Sequence, residues 1–112
     1  MLNVEEKQRL SEQEEIMTYK RVDDNQSAVT KALRAEGWTV THLHAIGKGC
    51  PDLLVGVTRF NVKYNFLLEV KDGNKSWKLT PDQVIWHYNW QGQVDVVTSP
   101  EQAVELIKGL IK

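Results

Sequence analysis

Gly49-Cys50-Pro51-Asp52-Leu53-Leu54-Val55-Gly56, followed by Phe66-Leu67-Leu68-Glu69-Val70-Lys71, carries most of what this chain of 112 residues discloses about its fold. Residues 53–57 and 64–71 are apolar, β-branched and aromatic runs, and the polar segment Thr58-Arg59-Phe60-Asn61-Val62-Lys63 lies between them. The pattern predicts an antiparallel hairpin with its turn inside that segment. Asp52 then stands at the mouth of the first strand, and Glu69 and Lys71 stand near the end of the second. Side chains alternate across a strand, so Glu69 and Lys71 leave one face while Leu68 and Val70 point into the opposite layer. Two carboxylates and a cation are thereby drawn to one polar corner of an apolar sheet.

Such a corner suits a hard divalent cation, Mg²⁺ or Mn²⁺, which takes oxygen ligands and is commonly held by one or two carboxylates together with a substrate phosphate. Asp52 and Glu69 are the candidate metal ligands, with the carbonyl of Val70 as an extra one. Lys71 is the candidate for offsetting charge during phosphodiester hydrolysis. Taken singly, the same residues describe a Pro-Asp that starts a strand and a surface ion pair between Glu69 and a neighbouring lysine.

Working outward, residues 25–36 read as a helix with Ala28, Val29, Ala32 and Leu33 on one face and Gly37 as its stop. Residues 38–43 alternate like a strand. Residues 81–90 read as a helix, Gly92 as a turn, 94–98 as a strand and 100–111 as a last helix with Ala103, Leu106, Ile107 and Leu110 inward. The expected architecture is α/β, a single small domain with a mixed central sheet flanked by helices in the order αβββαβα. It takes residues 19–112. Residues 1–18 form a polar, acidic segment with a thin apolar stripe (Leu2, Leu10, Ile16, Met17), helical or disordered.

At Pro51-Asp52 and Glu69-Val70-Lys71 the chain resembles the PD-(D/E)XK nucleases, and more narrowly their VRR-NUC branch, which is similar to the archaeal Holliday junction resolvases. The glycine-rich approach Gly47-Lys48-Gly49, the hairpin and the following helix with Gln83 strengthen the resemblance, which runs from about residue 22 to 107. It implies a restriction-endonuclease-like core and metal-dependent cleavage of DNA, with Asp52, Glu69 and Lys71 catalytic and Gln83 accessory. It also implies branched or flapped DNA as substrate, and since so small a domain offers little DNA-contacting surface alone, a two-fold homodimer is expected to place two sites to cut two strands. The first helix of such nucleases usually carries a glutamate directed at the metal. The matching position here is Gln26, which brings no charge, and Asp23 or Asp24 could substitute if the helix starts earlier. Asp24 is equally readable as the helix N-cap.

Gln83 has a structural reading too. Thr80-Pro81-Asp82-Gln83 is a capping box with proline at the first helical position, and Ser99-Pro100-Glu101-Gln102 repeats it where no second site is expected. His42, His44 and Cys50 form a weaker constellation, three zinc ligands without a fourth. Cys50 reads better as packing at the strand entrance than as a nucleophile. His87 reads as a surface or interface residue. Trp86 and Trp90, four apart on one helix face, suit burial against the sheet or a subunit partner better than base stacking.

The net charge of −1 argues against a nucleic-acid partner, since such proteins are usually basic. Its distribution softens that. Residues 1–18 hold five acids and two bases, a net of −3, which leaves the remainder at +2. Lys48, Arg59, Lys63, Lys75 and Lys78 are expected in loops beside the site, where they could meet phosphates. No run is apolar enough to span a membrane, residues 1–18 lack the core of a secretory signal, and a single cysteine fits an intracellular, reducing setting. Three function classes follow: a metal-dependent endonuclease, a DNA-binding module that has lost catalysis, and a partner-binding domain using the acidic segment and the tryptophans.

Overall fold

The hairpin forms, with longer arms than the sequence suggests. In the computed structural model, which describes residues 24–112, β2 (Leu53–Arg59) pairs antiparallel with β3 (Val62–Val70), and only Phe60 and Asn61 remain as the turn. Both have positive φ, 50° and 65°, as in the tight hairpin turn whose twist matches that of the strands. The polar segment is therefore mostly strand, a correction to the looser loop expected. Arg59 lies over the exposed Phe60 ring, 5.0 Å from its centroid.

The hairpin is the centre of a four-stranded mixed sheet. β1 (Thr39–His42) adds antiparallel to β2, and β4 (Asp95–Val97) adds parallel to β3. The Gln93 side chain continues β4 upstream, bonding both backbone groups of Leu67 at 2.8 and 3.0 Å. With α1 (Asp24–Ala35), α2 (Pro81–Asn89), α3 (Pro100–Leu110) and a 3-10 turn at His44–Ile46, the order is the expected αβββαβα.

Alternation puts Leu53, Val55 and Val57 of β2 with Phe66, Leu68 and Val70 of β3 on one face. Val29 and Leu33 of α1 and Ala103 and Ile107 of α3 join them in a single core. Two helix faces differ from expectation. On α1, Ala28 is exposed and Gln26 and Thr30 are buried with Val29 and Leu33. On α3, Leu110 is exposed and Ile111, the C-cap, is buried instead. Gly37 ends α1 as expected, at φ 88° with its N–H on the Arg34 carbonyl. The acidic segment 1–18 and Asp23 lie outside the described residues. Among those residues no helix is long and apolar enough to cross a membrane.

Candidate functional site

The register decides where the carboxylates meet. Leu53 faces Leu68 across the ladder, so one further step sets Asp52 opposite Glu69. Odd positions of β2 and even positions of β3 fill the core, which leaves Asp52 and Glu69 on the other face. Asp52 is fixed at both ends: its carbonyl accepts from the Leu43 N–H at 2.8 Å, and its Oδ2 accepts from the Val70 N–H at 2.8 Å.

Glu69 is fully buried, with 0% of its surface exposed. Burial, the charge of Asp52 and a hydrogen bond with Asp52 push its carboxyl up to about 8, against the opposing pull of Lys71. Its Oε2 accepts from Gln83 Nε2 at 2.9 Å, while Oε1 has no hydrogen-bond partner. A buried carboxylate beside a second one is costly unless a cation joins them. The orphaned Oε1 and the all-oxygen donor set fit a hard divalent cation.

Gln83 makes the helix cap and also bonds two candidate site residues. It closes the capping box of α2, its N–H on Thr80 Oγ1 at 3.2 Å and its Oε1 accepting from the Thr80 N–H at 2.9 Å. The same Oε1 accepts from Lys71 Nζ at 2.8 Å. One amide therefore ties Lys71 to Glu69 while locking the start of a helix. Gln102 has no such second role. Ser99 caps its N–H at 3.1 Å, and its Oε1 bonds only Thr98, at the N–H and at Oγ1.

Gln26, Asp52, Glu69, Lys71 and Gln83 all line one cleft of about 220 Å³, with Val70 in its wall. His44, which the sequence offers only as a zinc-ligand candidate, and Asp72, which it does not offer, complete it. Asp72, the next acid after Glu69-Val70-Lys71, offered a signal in its nearness to that motif. It holds the loop after β3, accepting from the Asn74 N–H at 2.9 Å, with Lys75 Nζ at 3.9 Å. Asn25 is a second omission: its Nδ2 donates to the carbonyls of Lys71 at 2.6 Å and Thr98 at 3.2 Å, tying α1 to the strand end that bears the site.

Gly47-Lys48-Gly49 acquires a physical reason. At Gly49 (φ 83°) a Cβ would lie 2.3 Å from the Asp82 carbonyl oxygen and 2.8 Å from the Gln83 nitrogen, so this backbone lies directly on the start of α2.

Other expectations need correction. Among the described residues no group of three His, Cys, Asp or Glu is arranged to hold a metal ion, which removes the zinc reading of His42, His44 and Cys50. His42 Nε2 bonds Thr30 Oγ1 at 2.9 Å, and His44 has left the strand for the 3-10 turn. Cys50 is half-buried, its thiol pushed up by burial and then by Glu69 and Asp52, which suits packing over nucleophilic attack. His87 is half-buried, and burial and Lys71 hold it below the usual histidine range. Arg59 and Lys63 are at the turn end of the hairpin, about 20 Å along the strand from Asp52. Trp86 and Trp90 do share a face and stack, at 4.9 Å between centroids, but no α2 side chain is buried and Trp90 is 45% exposed.

No protein-family model matches the chain, and no curated protein matches it. A solved structure described as a VRR_NUC domain is similar to it, at 31% sequence identity and a TM-score of 0.55, over 74% of this chain and 89% of that one.

Proposed function

This chain belongs to the VRR-NUC family, and from that premise we propose that it is a metal-dependent DNA endonuclease whose catalytic side chains are Asp52, Glu69 and Lys71. The observation that carries the reading is the fully buried Glu69 held against Asp52 and linked through Gln83 to Lys71.

Asp52 and Glu69, with the carbonyl of Val70, would hold Mg²⁺ or Mn²⁺. When bound, the cation supplies Lewis acidity that offsets charge on the phosphoryl oxygens and acidifies water. Lys71 brings a positive charge to the same cleft, where it counters the charge that develops on the phosphate. Gln83 is the accessory that fixes Lys71 Nζ and Glu69 Oε2 relative to each other, so neither has to be ordered during the reaction. Gln26 stands buried at the cleft without a charge, and its role is to hydrogen-bond water or substrate.

The substrate is DNA, with a four-way junction or flap preferred, and a two-fold homodimer would present two clefts to two strands. Lys75, beside the cleft residue Asp72, and Lys48, in the neighbouring cleft, remain available for phosphates; Arg59 and Lys63 do not. The neutral Gln26 favours one second reading, a module that keeps DNA affinity without cutting.

Cleavage of labelled four-way junction, linear duplex and single strand with Mg²⁺ or Mn²⁺ separates the two. The expected result is metal-dependent cutting, strongest on the junction, that falls by about a hundredfold to a thousandfold or more in Asp52→Ala. Junction binding without cutting on any substrate would replace the endonuclease by the non-catalytic module.

A further inference from the structure

We propose that the cleft between Lys48 and the Trp86–Trp90 pair is a binding subsite for an unpaired nucleobase of the DNA substrate. This rests on the nuclease reading, and it names how that site would select its DNA. The cleft measures about 250 Å³ and is walled by Lys48, Asp82, Ile85, Trp86, Asn89 and Trp90.

The tryptophans are a built platform outside the core. Their rings stack with an interplanar angle of 23°. Trp90 Nε1–H donates to the Gln93 carbonyl at 3.1 Å, and the indole lies so close over Gly92 that a Cβ there would sit 2.8 Å from Nε1. Gln93 is itself bonded to the Leu67 backbone, so the indole is anchored through one residue to the central strand of the site. A large aromatic surface held rigid and left 45% exposed presents a preorganised face to a flat ligand.

The surroundings identify that ligand as a base on a phosphate chain. Lys48 supplies a cation for a flanking phosphate, while the Asn89 amide and the Asp82 carboxylate can meet the polar edge of a base. The cleft and the catalytic one are separate but meet at the start of α2: Asp82 borders the first, its neighbour Gln83 borders the second, and Gly49 rests on the backbone of both residues. A strand with its scissile phosphate beside Lys71 would reach the indoles by running across the start of α2. Bases inside a duplex have no free face to stack, so the platform selects DNA that offers an unpaired one.

The test uses a fluorescein-labelled duplex with a three-nucleotide single-stranded flap and its fully paired counterpart, with Ca²⁺ replacing Mg²⁺, read by anisotropy. Trp90→Leu is expected to weaken flap binding by about tenfold to a hundredfold with little change for paired duplex, and Trp90→Phe to recover part of the loss. Removing the flap bases to leave abasic sugars should weaken wild-type binding by a similar factor, a result that owes nothing to the folding of a variant. Equal wild-type affinity for flap and abasic flap, or a Trp90→Leu loss shared equally by paired duplex, would overturn the proposal. So would unaltered binding of both DNAs by Trp90→Leu, which would assign the surface to a protein partner. A Trp90-dependent flap preference in a protein that cuts nothing in Mg²⁺ would keep the subsite and reject the nuclease.

Discussion

Glu69→Gln is expected to melt several degrees above the wild type in EDTA at pH 8 and to cut no DNA. The Glu69 carboxyl titrates near 8 in the fold against an ordinary value of 4.5, chiefly because it is buried. The folded state then binds its proton more tightly than the unfolded chain does. Stability from this group is fully present below pH 4.5 and is lost as pH rises through about 8, where the buried charge meets Asp52 and Lys71 only partly offsets it. Glutamine has the same shape, still accepts from Gln83, and cannot ionise. The gain is about 2 kcal/mol or more at pH 8, roughly 5–10 °C in a domain of this size, and it shrinks toward zero by pH 5. Adding Mn²⁺ should reverse the order, because binding stabilises only the protein that keeps both carboxylates. Thermal melts of both proteins at pH 5 and pH 8, with EDTA and with Mn²⁺, measure all four corners.

Gly49→Ala is expected to be the most damaging single methyl group in the domain. It adds a Cβ 2.3 Å from the Asp82 carbonyl oxygen and 2.5 Å from its carbon, backbone atoms that no rotamer change can move aside. It also forces a side chain onto φ 83°. Overpacking and left-handed backbone together cost about 3 kcal/mol. Relief comes by pushing the start of α2 outward, which draws Gln83 away from Lys71 and Glu69, so cleavage should fall by about a hundredfold even where the domain stays folded. Gly37→Ala is the matched control: φ is 88° but a Cβ there meets nothing within 4 Å, so only the backbone term of about 1 kcal/mol applies and cleavage is retained. Urea denaturation and cleavage rates on the two variants separate collision from strain.

The two strands that carry the proposed chemistry are legible in their apolar, β-branched composition, and alternation places Glu69 and Lys71 on one face of the second. That Asp52 shares that face depends on the register, which the two-residue turn sets and a one-residue slip would undo. The turn itself is not legible: Phe60-Asn61 lacks the glycine that marks a two-residue hairpin, so the sequence does not show that the strands run on to Arg59 and Val62 and carry Arg59 and Lys63 away from the site. Helical spacing showed that Trp86 and Trp90 touch, and could not show that α2 carries no buried residue, since a 3.6-residue period says which residues share a face and not what that face meets. The places of His44 and Asp72 in the cleft are not legible for a related reason, because each stands where the chain has left its strand and alternation no longer applies. Asn25 bonds carbonyls 46 and 73 residues away, contacts that leave no local trace.

The central claim is that Asp52 and Glu69 form a divalent-cation centre, and calorimetric titration of Mn²⁺ into the wild type and Asp52→Ala at pH 6, 7 and 8 tests it most directly. Proton and cation compete for Glu69, so the account predicts wild-type affinity that rises by about tenfold per pH unit up to about pH 8, and binding that is lost in Asp52→Ala. Mn²⁺ binding of equal strength in the two proteins, or none in the wild type at pH 8, would contradict it.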